Sequence, residues 1–136
     1  MIDIFIPGQP APQGSKRHVG HGRMVESSKK VKPWREDIRA ALLGDDGMPV
    51  VRFDGAVACI LEFVLPRPKT APKKSTPFAA KRPDLDKLTR AAFDAITSAG
   101  VIEDDSRIVN LLASKRIAEI GGIAGMRLIL TTPEAA

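Results

Sequence analysis

A chain of 136 residues with 43% apolar and 27% charged side chains has the composition of one soluble globular domain, burying roughly two-thirds of its unfolded surface. Lys and Arg outnumber Asp and Glu by 21 to 16, a net charge of +5, which suits a polyanionic partner without identifying one. One cysteine, Cys59, excludes an internal disulfide framework and a Cys-rich zinc site. Aromatic residues are scarce, so the core must rest on Val, Ile, Leu and Ala.

The longest apolar stretches, such as 56–65 with Glu62 inside it, are too short to span a bilayer. Met1-Ile2-Asp3 lacks the basic-then-apolar layout of a secretion signal. A cytoplasmic protein is expected.

In chain order, 2–6 reads as a short strand ending at Pro7. The following stretch, 8–18, is rich in breakers and ends in Lys16-Arg17-His18, an exposed basic loop. A second short strand fits 22–26. Pro33 suits the first turn of a helix, where its missing N–H has no partner to lose. Trp34, Ile38, Ala41 and Leu42 then share one helical face, and Gly44 closes the helix. Val57, Cys59, Leu61, Phe63 and Leu65 alternate, which predicts a strand with one buried face.

From Pro66 to Pro83 the composition changes abruptly to five prolines and six Lys or Arg with no acid. Proline removes ladder hydrogen bonds and like charges repel, so a mobile basic loop is expected here, as at about 8–22. Leu85, Leu88, Ala92, Ile96 and Ala99 then fall on one arc of a helix from about Asp84 to Ser98, ended by Gly100. After Glu103-Asp104-Asp105, a strand is predicted over 107–117 and a turn at Gly121-Gly122. Met126, Leu128 and Leu130 alternate on a last strand. Strands and helices interleave without a regular βαβ repeat, which indicates a single α+β domain with a small mixed or antiparallel sheet and two main helices.

The acids carry the chemistry. Magnesium takes hard oxygen ligands, usually a few carboxylates with water and substrate phosphate, and such an ion can activate water and neutralise charge on a phosphodiester. Asp84 and Asp86 can meet at one end of a helix. For Asp105 to join them, the chain must return over roughly 18 Å of helix at 1.5 Å per residue. The six residues from Ala99 reach at most roughly 20 Å, so a nearly extended connection is required, or a meeting across a dimer interface.

Structural roles compete with this. Asp84 after Pro83 is a good helix N-cap, Asp86 complements the helix dipole, and Glu103-Asp104-Asp105 can be a solvated turn. Asp86, Arg90 and Asp94 at i, i+4 spacing form either a surface ion-pair ladder or a site in which Arg90 stabilises a developing phosphoryl charge. Lys87 lies off that face and is a second candidate cation.

Two basic groups flank these acids: Lys16, Arg17, Arg23, Lys29, Lys30 and Lys32, then Arg67, Lys69, Lys73, Lys74, Lys81 and Arg82. Such segments contact phosphates without reading bases. Charge that recruits a polyanion, leading into acids that hold a metal, fits a nuclease. His18 and His21 have no nearby acid and read as phosphate contacts or as incidental rather than as a zinc site.

The string Arg82-Pro83-Asp84-Leu85-Asp86-Lys87-Leu88, continuing through Ala92-Phe93-Asp94-Ala95-Ile96 to Glu103-Asp104-Asp105-Ser106-Arg107-Ile108-Val109, resembles the RusA family of Holliday-junction resolvases. So does the opening Ile6-Pro7-Gly8-Gln9-Pro10 with its basic loop. The resemblance implies a small homodimeric endonuclease dependent on magnesium or manganese, often of phage or prophage origin, that places paired nicks in four-way DNA junctions during recombination and repair.

On this resemblance Asp84, Asp86 and Asp105 match the metal-binding aspartates, and Asp104 matches the neighbouring acid. A catalytic lysine of the family falls at Arg90, where arginine keeps the charge but is a poor proton donor; Lys87 can compensate. Lys16, Arg17, Lys73, Lys74, Lys81 and Arg82 fall in segments expected to touch DNA. A non-catalytic nucleic-acid-binding protein is the alternative, separated by whether a synthetic junction is cut in magnesium. A small-ester phosphatase would need no extended basic surface.

Overall fold

The computed structural model describes residues 1–14, 16–19, 23–26 and 29–134, with only the backbone described at 16–19 and 23–26. Four strands form one mixed sheet in the order β1-β6-β4-β5: β1 Ile2–Pro7, β4 Val57–Leu65, β5 Ile108–Ile117 and β6 Gly125–Thr131. β6 runs antiparallel to both β1 and β4, while β5 runs parallel to β4. The helices are α1, Val31–Leu42, and α2, Leu85–Ser98. β2, Lys16–Val19, and β3, Arg23–Glu26, pair as a separate antiparallel ribbon. The expected α+β fold with two helices is therefore present. The basic loop predicted over 8–18 is corrected in part, because Lys16–Val19 is strand.

Alternation builds the core. Ile2, Ile6, Val57, Cys59, Leu61, Phe63, Met126, Leu128 and Leu130 point to one side of the sheet and are buried there against the helices. From α1 come Trp34, Ile38 and Leu42. Ala41 is exposed instead of buried, and Val31, one turn before Trp34, completes the stripe. α2 buries Leu88, Ala91, Ala92, Ala95 and Ile96, and its three alanines let it pack closely beside α1.

The opposite face of the sheet is open. There Arg127 bonds Asp3 at 3.1 Å and Arg116 bonds Glu62 at 3.2 Å, as on a solvated antiparallel face. Among the described residues no helix is long and apolar enough to cross a membrane.

The connection β4–α2–β5 decides where the acids lie. Because β4 and β5 are parallel, α2 must run back alongside them. Gly100, at φ +83°, ends α2 in a left-handed conformation that glycine adopts without steric cost. The next residues, Val101 and Ile102, are fully buried, and Val101 accepts a hydrogen bond from Phe53 N–H at 2.9 Å. The chain is thus fixed at the starting end of β5 as soon as the helix stops.

Candidate active site

Asp84 occupies the N-cap of α2 with extended backbone angles, yet its side chain makes no capping hydrogen bond. The structural role expected of this carboxylate is therefore absent. It faces Lys87 Nζ at 3.6 Å, with both side chains partly exposed. Asp86, in the first turn, is exposed and has no ion pair among the described residues. Two carboxylates thus project from one helix end without structural duties that consume them.

Asp84 stands at the mouth of a cleft of about 570 Å³ lined also by Gln9, Pro10, Lys30, Arg82 and Lys87, among others, whereas Asp86 is not part of its lining. One wall is the segment after β1, tied to α2 by Gln13 N–H donating to the Lys87 carbonyl at 3.0 Å. Gly8 permits the approach: a side chain there would collide with Trp34 and the Asp37 carboxylate of α1. Lys115, near the end of β5, donates from Nζ to the carbonyls of Lys81 and Pro83, both at 2.8 Å.

The loop between β4 and α2 contains no helix or strand, but it is gathered around one guanidinium. Arg67 donates to Thr76 Oγ1 at 2.8 Å and to the Ala118 carbonyl at 3.2 Å, and also to the carbonyls of Pro72 and Ser75. Lys73, Lys74, Lys81 and Arg82 are exposed along this loop, and the last two lead straight into Asp84. Lys16 and Arg17 lie on β2, but their side chains, like that of His18, fall outside the described residues, as does the whole of His21.

The second pair of acids opens β5. Asp104 caps a single 3₁₀ turn, Asp105–Arg107, by accepting from Ser106 N–H at 2.9 Å. The Ser106 hydroxyl, then that N–H and the nearby Arg107 charge, hold the Asp104 carboxyl below the ordinary carboxylate range. Arg107 braces the turn through Glu103 Oε2 and the Asp54 carbonyl, both at 2.7 Å. Asp105 is exposed, with no ion pair among the described residues.

The structure does not bring Asp105 to Asp84 and Asp86 within one chain. The two pairs sit at opposite ends of α2, whose 14 residues span about 20 Å at 1.5 Å per residue. Among the described residues no three Asp, Glu, His or Cys side chains gather as a metal-holding group. The extended return allowed by chain length is not taken, because Val101 and Ile102 bury the connection at the far end. Asp84 and Asp86 suit two positions around a hard divalent cation by donor type and freedom; the third expected donor is missing from their neighbourhood.

Arg90 is exposed and does not line the cleft. The Asp86–Arg90–Asp94 ladder is also absent, since Asp94 instead faces Arg35 of α1 at 3.8 Å. Lys87, off that face, is the cation beside Asp84. Sequence reasoning missed Lys115, although a visible signal existed. It interrupts the inward series Leu111, Ala113, Ile117 on β5 with a charge, and a charge at such a position needs partners.

A family model described as Endodeoxyribonuclease RusA matches residues 7–124. No curated protein matches the chain.

Proposed function

This chain belongs to the RusA endodeoxyribonuclease family, and from that premise we propose that it is a metal-dependent nuclease that resolves four-way DNA junctions by paired nicking in recombination and repair. The observation that carries the metal-dependent part of this reading is Asp84. It holds the N-cap position of α2 without capping, so its carboxylate, beside Lys87, is presented at the mouth of a cleft instead of to the helix N–H groups.

Asp84 and Asp86 would hold a magnesium or manganese ion with Asp105. When bound, the ion would supply Lewis acidity toward the scissile phosphate and toward water. Lys87 places a cation beside this position, where it would offset negative charge developing on the phosphate oxygens. Arg90 is too far round the helix to line the cleft. Asp104 is occupied by the Ser106 N–H and serves to shape the turn that presents Asp105.

Lys81, Arg82, Lys73 and Lys74 would lie along the phosphate backbone, giving an affinity that falls steeply with salt. Lys16 and Arg17 extend the same role to the β2–β3 ribbon. Paired nicks require two sites related by symmetry, which a two-fold dimer supplies.

The test is a synthetic four-way junction incubated with and without magnesium beside linear duplex and flap controls. Nicking of the junction alone, only with the metal, is expected. Asp84→Asn is expected to abolish nicking while junction binding stays intact or tightens, because repulsion between carboxylate and phosphate is relieved. A D84N protein that still cuts would remove Asp84 from the site.

A further inference from the structure

Among the described residues Phe78 is the most exposed large apolar side chain, at 97%. We propose that its ring is a stacking platform for one nucleobase, unstacked where the arms of a junction meet and held beside the scissile phosphate. The proposal deepens the nuclease reading, on which it rests for its substrate.

Single exposed apolar side chains are ordinary, but Phe78 differs in its setting. It borders a hollow of about 500 Å³ whose walls include Leu65, Pro66, Pro72 and Pro77. Gln9, Pro10, Arg82 and Pro83 line both this hollow and the cleft of Asp84, so the two adjoin. Six residues separate Phe78 from Asp84, at most roughly 20 Å of chain. A strand whose base lies on Phe78 therefore passes its backbone along the cleft.

The ring is also held in place from both sides. Ahead of it, Arg67 gathers Pro72, Ser75 and Thr76; behind it, Lys115 holds the carbonyls of Lys81 and Pro83. Between these clasps Pro77 fixes its own φ, and Ala80 N–H donates to the Phe78 carbonyl at 2.9 Å. A ring ordered in advance loses little freedom on binding.

Charge selects the occupant. No acid lies between Pro66 and Pro83, and Lys81 and Arg82 line the hollow itself. Ile120 and Ile123, exposed on the turn between β5 and β6, instead neighbour Glu119, a poor setting for a polyanion. DNA matches both halves of the Phe78 surface: phosphates suit the cations, and the π-face of any base suits the ring. In linear duplex both faces of each base are already covered, whereas an unpaired or strained base is unstacked at small cost. The ring thus favours branched over linear DNA.

The test uses the full-length chain with Phe78→Trp, in an Asp84→Asn background that keeps the DNA uncut. Trp34, the one native tryptophan, is 1% exposed, so red-shifted emission reports position 78. Stacking is expected to quench that emission on binding a four-way junction or a single strand. Linear duplex at equal occupancy is expected to leave it bright. Emission that stays bright on the bound junction overturns the proposal, as does equal quenching by duplex. A blue shift on anionic phospholipid vesicles without quenching by DNA assigns the ring to a lipid surface and overturns it too.

Phe78→Ala supplies a second readout, with an unchanged thermal melt expected because the side chain is exposed. Junction affinity is expected to fall about tenfold. Duplex affinity and salt dependence stay those of the parent, because no cation is removed. An unchanged ratio of junction to duplex affinity overturns the proposal, and so does altered sedimentation, which would mark Phe78 as a protein contact. If the parent cuts no junction in magnesium, the resolvase reading falls, and quenching by bound DNA still decides the stacking.

Discussion

Lys115 donates to the Pro83 carbonyl at 2.8 Å, joining the end of β5 to the residue that precedes Asp84. With its second bond, to the Lys81 carbonyl, it fixes the approach of the basic loop to the helix that presents both carboxylates. Lys115→Met keeps the stem and removes both bonds. Hydrogen bonds to charged groups contribute about 1.5–3 kcal/mol each, and partial exposure here favours the low end. A modest fall in the urea midpoint is expected, with a larger fall in junction nicking than in junction binding.

Lys87 and Arg90 separate cleanly by substitution. Lys87 lines the cleft and faces Asp84 at 3.6 Å, whereas Arg90 is exposed and outside it. Removing a preorganised charge from a developing oxyanion typically costs about 10²–10³ in rate. Single-turnover nicking by Lys87→Met is therefore expected to drop by about 100-fold, with Arg90→Met close to the parent protein. The reverse result would return the cationic role to Arg90.

Burial pushes the Cys59 thiol up from 9.0 to about 12. An acid whose folded value is raised favours the protonated folded form, so the linkage runs one way. Its contribution to stability is complete below pH 9 and is lost as pH rises from 9 toward 12. The urea midpoint of the parent is expected to converge on that of Cys59→Ala over this window. At pH 8 an aromatic disulfide reagent should leave Cys59 unmodified until the protein is unfolded.

Much of this architecture is written in periodicity. β4 alternates from Val57 to Phe63 before its last three residues are all buried, and α2 shows a clear arc from Leu85 to Ile96, because each buries one face and the burial demands the pattern. β2 escaped notice because Lys16–Val19 is short, mostly polar and set among breakers; its strand character comes from pairing with β3. The carboxylate pair at the start of α2 was legible from residue type, and so was the acid turn before β5. Their relative placement was not. Spacing bounds only how far a chain can reach, while its direction is set by the parallel register of β4 and β5 and by the burial of Val101 and Ile102.

Gly100 makes the body of this molecule a ruler. By stopping α2 after Ser98, it fixes the interval between the two acidic outposts at one helix length. An added or deleted turn in α2 would change that gauge and rotate Asp86 against its neighbours. Residues inserted between Pro68 and Phe78, on the far side of the Lys115 clasp, would leave it untouched. The proline-rich span can thus vary in length without moving the two acid pairs, whose spacing resides in the stretch from Asp84 to Ile117.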